Sequence, residues 1–177
     1  MRLFVAINLP EPVKKYVLSL QKLFADIGSF SFVQDCHLTL KFLGEVSPAK
    51  AEKVRTKLSA VTPTQFALTL DKFGIFPSEE FARVLWVGVK PVEPVAALAE
   101  QIDATLQPLF PKEDQFHPHL TIARIKSIAD KEKFLKTVHE TRIDQKKFAV
   151  ENFKLVQSIL QGGKPPKYVI LQKYPLK

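Results

Sequence analysis

The chain has 177 residues, 46% of them hydrophobic and 10% aromatic, which is enough apolar content to bury a sizeable core. Its 26 lysines and arginines against 18 acids give a formal charge of +8 and a pI near 9.5, a balance that draws polyanions such as nucleic acid or a nucleotide phosphate. A single cysteine, Cys36, excludes an internal disulfide framework; the apolar runs are too short for a membrane span, and the opening stretch lacks a secretory signal, so a cytoplasmic protein is expected.

In chain order, residues 2–7 read as a strand, and Val13, Tyr16, Val17, Leu20, Leu23 and Phe24 at three- and four-residue spacing predict an amphipathic helix over 12–24, closed by Gly28. Residues 29–33 look extended. Ser47-Pro48 is a helix start, with Ala51, Val54, Leu58 and Val61 as its stripe and Pro63 as its stop. Residues 66–73 alternate as a strand, and a polar link at 78–80 leads into an apolar, central strand over 83–89. A third helix is predicted over 92–109, ended by Pro108 and Pro111, then a loop over 112–116 and a shorter helix over 128–138. Two final strands are expected over 147–158 and 167–174, joined across Gly162-Gly163. Strand-helix units occur twice in parallel, so the chain reads as a duplicated α+β unit around one cleft.

The tetrapeptide His37-Leu38-Thr39-Leu40 returns as His119-Leu120-Thr121-Ile122, 119 − 37 = 82 positions later. One His-x-Thr is a weak signal, but two are not: with four histidines and nine threonines, chance gives two such pairs in only about one or two per cent of shuffled chains. Each copy has the alternation of a half-buried strand. His37, Thr39 and Lys41 then share one face, Leu38, Leu40 and Phe42 the other; His119 and Thr121 align in the same way. Cys36 should point away from His37, which argues against a thiol nucleophile.

Histidine titrates near neutral pH, so one neutral imidazole can accept a proton while a second, charged one donates. In-line displacement at phosphorus needs both, one on each side of the phosphate. Thr39 and Thr121 can donate hydrogen bonds to the non-bridging oxygens as charge develops. Lys41 and Arg124 are candidates for added positive charge, although strict alternation puts Arg124 opposite His119. His117 shares the alternating face of His119 and is a candidate substrate contact, whereas His139 on the last helix reads as a surface residue. No metal or other cofactor is required, and a zinc site lacks cysteine pairs and a third ligand beside His117 and His119.

These residues carry a resemblance. HLTLKFLG at 37–44, FHPHLTIAR at 116–124, the opening MRLFVAI, the middle FGIFP and RVLW, and Leu155, Ser158, Leu160, Gly163 and Tyr168 near the end resemble the two-histidine phosphoesterase superfamily, and within it the RNA 2′,3′-cyclic phosphodiesterases historically called 2′-5′ RNA ligases. The resemblance runs nearly end to end. It implies a single α+β domain over 1–177 made of two pseudo-symmetric lobes of antiparallel sheet with outer helices and an active-site groove between them. It further implies His37 as proton donor to the leaving ribose oxygen, His119 as proton acceptor from water, and Thr39 and Thr121 as phosphate-binding residues. The expected substrate is RNA or an oligonucleotide with a 2′,3′-cyclic phosphate end, opened to a 2′-phosphate or joined to a 5′-hydroxyl in reverse. No membrane and no obligate protein partner is implied. The turn at 32–36 departs from the family pattern, being about two residues shorter. Two other readings stay open on the residues: a phosphodiesterase of another small cyclic or 2′-5′ ester, and a module that only binds nucleotide or RNA.

Overall fold

In the computed structural model, which describes residues 1–177, β1 (Arg2–Asn8) buries Leu3, Val5 and Ile7 in the main core and turns Phe4 and Ala6 to the opposite face. Pro12 opens α1 (Glu11–Ser19), whose apolar stripe continues through a 3-10 turn, Leu20–Phe24. Gly28 does not close that helix; it opens β2 (Gly28–Phe32), where a Cβ would collide with the carbonyl oxygen of Ser127. Then follow β3 (His37–Glu45) and α2 (Pro48–Leu58), capped by Ser47 Oγ accepting from Lys50 N at 3.3 Å. Next come β4 (Phe66–Phe76), β5 (Val84–Lys90), α3 (Glu93–Leu106) and β6 (His119–Ile128). Asp130 caps α4 (Lys131–Glu140), accepting from Lys133 N at 2.9 Å, so that helix starts three residues later than its apolar pattern predicts.

The segment predicted as one strand over 147–158 is two, β7 (Lys147–Val150) and β8 (Asn152–Ile159), and β9 (Lys167–Pro175) completes the chain. β7 pairs with β4 and β8 with β1, so the backbone crosses the molecule at Glu151. All pairings are antiparallel, in the order β7-β4-β5-β6-β3-β1-β8-β9, with β2 added along β6. Two lobes result: β3, β1, β8 and β9 form the first, and β6, β5, β4, β7 and β2 the second. They join through one bridge, between Leu38 and Leu120.

The duplication extends to the register. Asn8, Ala6, Val5 and Phe4 oppose His37, Thr39, Lys41 and Phe42, while Gly88, Trp86, Leu85 and Val84 oppose His119, Thr121, Ala123 and Arg124. Each motif strand therefore carries a bulge at the same place, with Leu40 and Ile122 as the extra residues. The helices pack on the face away from the groove, and two helical segments reach across to the other lobe. Gln21, in the turn after α1, donates to the Ile122 carbonyl of the second lobe at 3.0 Å, and Asp103 on α3 reaches Lys41 of the first at 2.5 Å. No helix is long and apolar enough to cross a membrane.

Candidate active site

Because the bridge joins Leu38 to Leu120, both fully buried, the residues flanking each leucine project from the opposite face of the sheet. Antiparallel pairing sets His37 and Thr39 of one strand beside Thr121 and His119 of the other, around an approximate two-fold axis. Two imidazoles and two hydroxyls thus line one groove.

Each imidazole is held by aromatic rings. His37 stacks on Phe4 with centroids 4.7 Å apart and takes the edge of Tyr168 at 5.0 Å. His119 meets Phe76 at 4.9 Å and Trp86 at 6.0 Å. Trp86 lies flat over β4 because Gly74 has no side chain: a Cβ there would fall inside the indole ring's contact radius. Gly74→Ala is therefore expected to displace Trp86 and loosen His119, at about 1–3 kcal/mol of stability, with altered tryptophan fluorescence as the readout.

The two histidines are not equivalent. Nδ1 of His119 lies 2.7 Å from the carbonyl oxygen of His117; the neutral ring donates there, which leaves Nε2 with its lone pair for the groove. Burial lowers the pKa of His119, opposed by that backbone bond and assisted by nearby His117. Burial pushes His37 further, down to about 4, with Lys14 and His119 adding to the effect and Asp35 opposing it. The unfolded chain binds a proton at His37 near 6.5 and the folded chain only near 4. Stability is thus unaffected by this group above pH 6.5 and falls as pH drops toward 4, by on the order of 3 kcal/mol. His37→Gln is expected to flatten that decline in denaturation midpoints measured from pH 7 to 4.5.

The bulges overturn three placements made from alternation, those of Lys41, Phe42 and Arg124. Lys41 is not on the face of His37. One extra residue inverts the parity of the strand, so Lys41 is 3% exposed beneath the sheet, with Nζ 2.5 Å from Asp103 Oδ1 and 3.1 Å from the Pro111 carbonyl. Arg124, by the same inversion, comes onto the face of His119 and Thr121, close enough to act on the Tyr168 hydroxyl. Phe42 comes up with it and is 67% exposed. His117 is exposed, with its ring 5.0 Å from Trp86 and its carbonyl orienting His119. His139 is an exposed helix residue 2.6 Å from Glu79 Oε1. Cys36 is 2% exposed in the core, and burial raises its thiol to about 12, which leaves it inert as a nucleophile.

Sequence reading left out the aromatic walls supplied by Phe4 and Phe76, and the polar end of the groove. There Asn8, Lys14 and Asp35 border a cavity of about 210 Å³ beside His37. Phe4 was accessible to the alternation rule, since it shares the face of Ala6 on β1; its contact with His37 needed the register.

Two pseudo-symmetric antiparallel lobes that each lend a His-x-Thr strand to a shared groove define the two-histidine phosphoesterase class. Comparison with known proteins narrows this: a model of the 2′-5′ RNA ligase superfamily matches residues 10–160, and the chain belongs to that family. It is 32% identical over 168 residues to a Methanocaldococcus jannaschii protein named RNA 2′,3′-cyclic phosphodiesterase, covering 93% of this chain and 95% of that one. A Thermotoga maritima protein of the same name is 34% identical, covering 93% and 90%. Among solved structures, Escherichia coli LigT complexed with 3′-AMP aligns with TM-score 0.79 at 28% identity, covering 99% of this chain and 97% of that one. A Thermus thermophilus structure aligns with TM-score 0.82 at 29% identity, covering 99% and 98%.

Proposed function

We propose that residues 1–177 act as one bilobal RNA 2′,3′-cyclic phosphodiesterase, opening the cyclic phosphate end to a 2′-phosphomonoester. The observation that supports this reading is the mirrored register of the two His-x-Thr strands across the Leu38–Leu120 bridge, with His37 and Thr39 on one strand and His119 and Thr121 on the other. The names borne by the relatives support it.

In this mechanism Nε2 of His119 takes a proton from water as the water oxygen bonds to phosphorus. The bond from phosphorus to the 3′-oxygen breaks, and His37, protonated, delivers its proton to that oxygen. Thr39 and Thr121 donate hydrogen bonds to the non-bridging oxygens, with Arg124 adding charge from the second lobe. With a 5′-hydroxyl in place of water as the nucleophile, the same displacement, again releasing the 3′-oxygen, joins RNA ends through a 2′-5′ linkage. Thr39→Ala and Thr121→Ala are each expected to lower kcat about tenfold to a hundredfold, with the larger part in kcat rather than KM.

The test is hydrolysis of an RNA oligonucleotide ending in a 2′,3′-cyclic phosphate, with EDTA present, and identification of the monoester formed. A 2′-phosphate that disappears in His119→Ala supports the mechanism. A 3′-phosphate product reverses its polarity, and salt-sensitive binding without turnover replaces the enzyme with a binding module.

A further inference from the structure

On the groove face of the first lobe, a second polar cluster lies beyond His37. Lys154 on β8 and Lys173 on β9 are directly opposite in register. Lys154 shares its face with Val156 and, across β1, with Ala6, which opposes it. Lys14 of α1 borders the same end of the groove, beside Asn8 and Asp35 in the cavity next to His37. Like charges directly opposite each other destabilise an antiparallel pair. Asp35 at 2.9 Å and Glu11 at 3.8 Å from Lys14 Nζ offset the charge of Lys14, while Lys154 and Lys173 have no carboxylate within ion-pair distance. Burial lowers the pKa of Lys154, and Lys173 and Lys14 lower it further, against Asp35. Two unpaired cations, Lys154 and Lys173, with Lys14 beside them on the His37 side of the groove, make a site for an anion.

The chemistry decides which anion. If His37 protonates the 3′-oxygen, the ribose that keeps this oxygen lies on the His37 side of the phosphate, against Phe4, Val156, Tyr168 and Ile170. The chain of the substrate then leaves the ribose through its 5′-oxygen, away from His119. We propose that Lys14, Lys154 and Lys173 form a subsite for the phosphate joining the cyclic-ended nucleotide to its 5′ neighbour, so that the preferred substrate is an oligonucleotide and not a cyclic mononucleotide. This inference rests on the phosphodiesterase reading for its polarity.

The test compares a cyclic mononucleotide with a dinucleotide carrying the same cyclic end, using the native protein, Lys154→Gln/Lys173→Gln, and a control, Lys53→Gln/Lys136→Gln, that removes equal charge from exposed positions of the outer helices. The native protein is expected to favour the dinucleotide about tenfold in kcat/KM and to show a steeper salt dependence with it, by about one unit of slope. The first variant should lose that preference and the control keep it. A preference that survives in the first variant, no preference in the native protein, or an equal loss on both substrates overturns the subsite. Calorimetric binding of the dinucleotide and mononucleotide 3′-phosphates separates the two readings. Tighter dinucleotide binding that is lost in the first variant upholds the subsite even without turnover, which would count against the phosphodiesterase alone. Equal Kd values overturn the subsite.

Discussion

His37→Ala and His119→Ala are each expected to lower kcat/KM on a cyclic-ended oligonucleotide about a thousandfold, within the usual range for loss of a positioned general acid or base. Combining the two should cost far less than the product of the single effects, because neither histidine completes the displacement alone. The pH profile carries the sharper prediction. In the free protein His37 titrates near 4, held down first by burial, and His119 below its ordinary 6.5 for the same reason. In the proposed mechanism the productive form has His37 charged and His119 neutral. It is a minor species at neutral pH, and the optimum of kcat/KM lies on the acid side of 6.5. A bound phosphodiester anion beside His37 favours its charged form, so the ascending limb of kcat, which follows His37 because its pKa is the lower of the two, should lie at higher pH than that of kcat/KM. Coincident ascending limbs would mean that the substrate does not face His37. An optimum unchanged in His37→Ala would remove it from the proton-transfer step.

Lys41→Met and Asp103→Leu are each expected to destabilise the fold by about 3–5 kcal/mol, read as a drop in the urea midpoint at unchanged slope. The pair is buried, with Lys41 3% and Asp103 8% exposed. Removing one partner strands the other charge in the interior. In Lys41→Met the carboxylate keeps only the Glu113 N–H, at 3.2 Å. In Asp103→Leu the ammonium keeps the Pro111 carbonyl and, at 3.8 Å, Glu113. The double variant Lys41→Met/Asp103→Leu should recover most of the loss, since apolar replacement of a whole buried pair is often neutral or favourable. The second lobe offers a precedent: Ala123 occupies the matching bulge position with no exposed surface. Strictly additive losses would show that the two side chains are not coupled. The pair also ties β3, which carries His37 and Thr39, to α3 and the loop that leads to His119. The single variants should accordingly lose activity at urea concentrations that leave the native protein folded.

Much of this was legible without coordinates. The repeated His-x-Thr, its strand alternation and the basic composition led to paired imidazoles acting on a phosphate, and those side chains do share one groove. The helices after each strand were readable from their apolar stripes, because an amphipathic period is a property of ten or so consecutive residues. Even the crossing at Glu151 left a trace: Phe148 and Val150 are buried at even positions, Phe153 and Leu155 at odd ones, a parity break inside what was read as one strand.

The placement of Lys41 and Arg124 was not legible, because alternation assumes an unbroken ladder. A bulge is a property of two paired strands; it arises where Thr39 and Lys41 face adjacent residues of β1, and where Thr121 and Ala123 face adjacent residues of β5. One inserted residue in each strand buried a lysine expected in the groove and raised into it an arginine expected below. The aromatic support of each histidine and the lysines beyond His37 likewise come from strands distant in the chain. Residue chemistry and local period are written along the chain and determine which groups are available. Which of them meet is set by inter-strand register and lobe packing, and these depend on contacts that no local window of sequence contains.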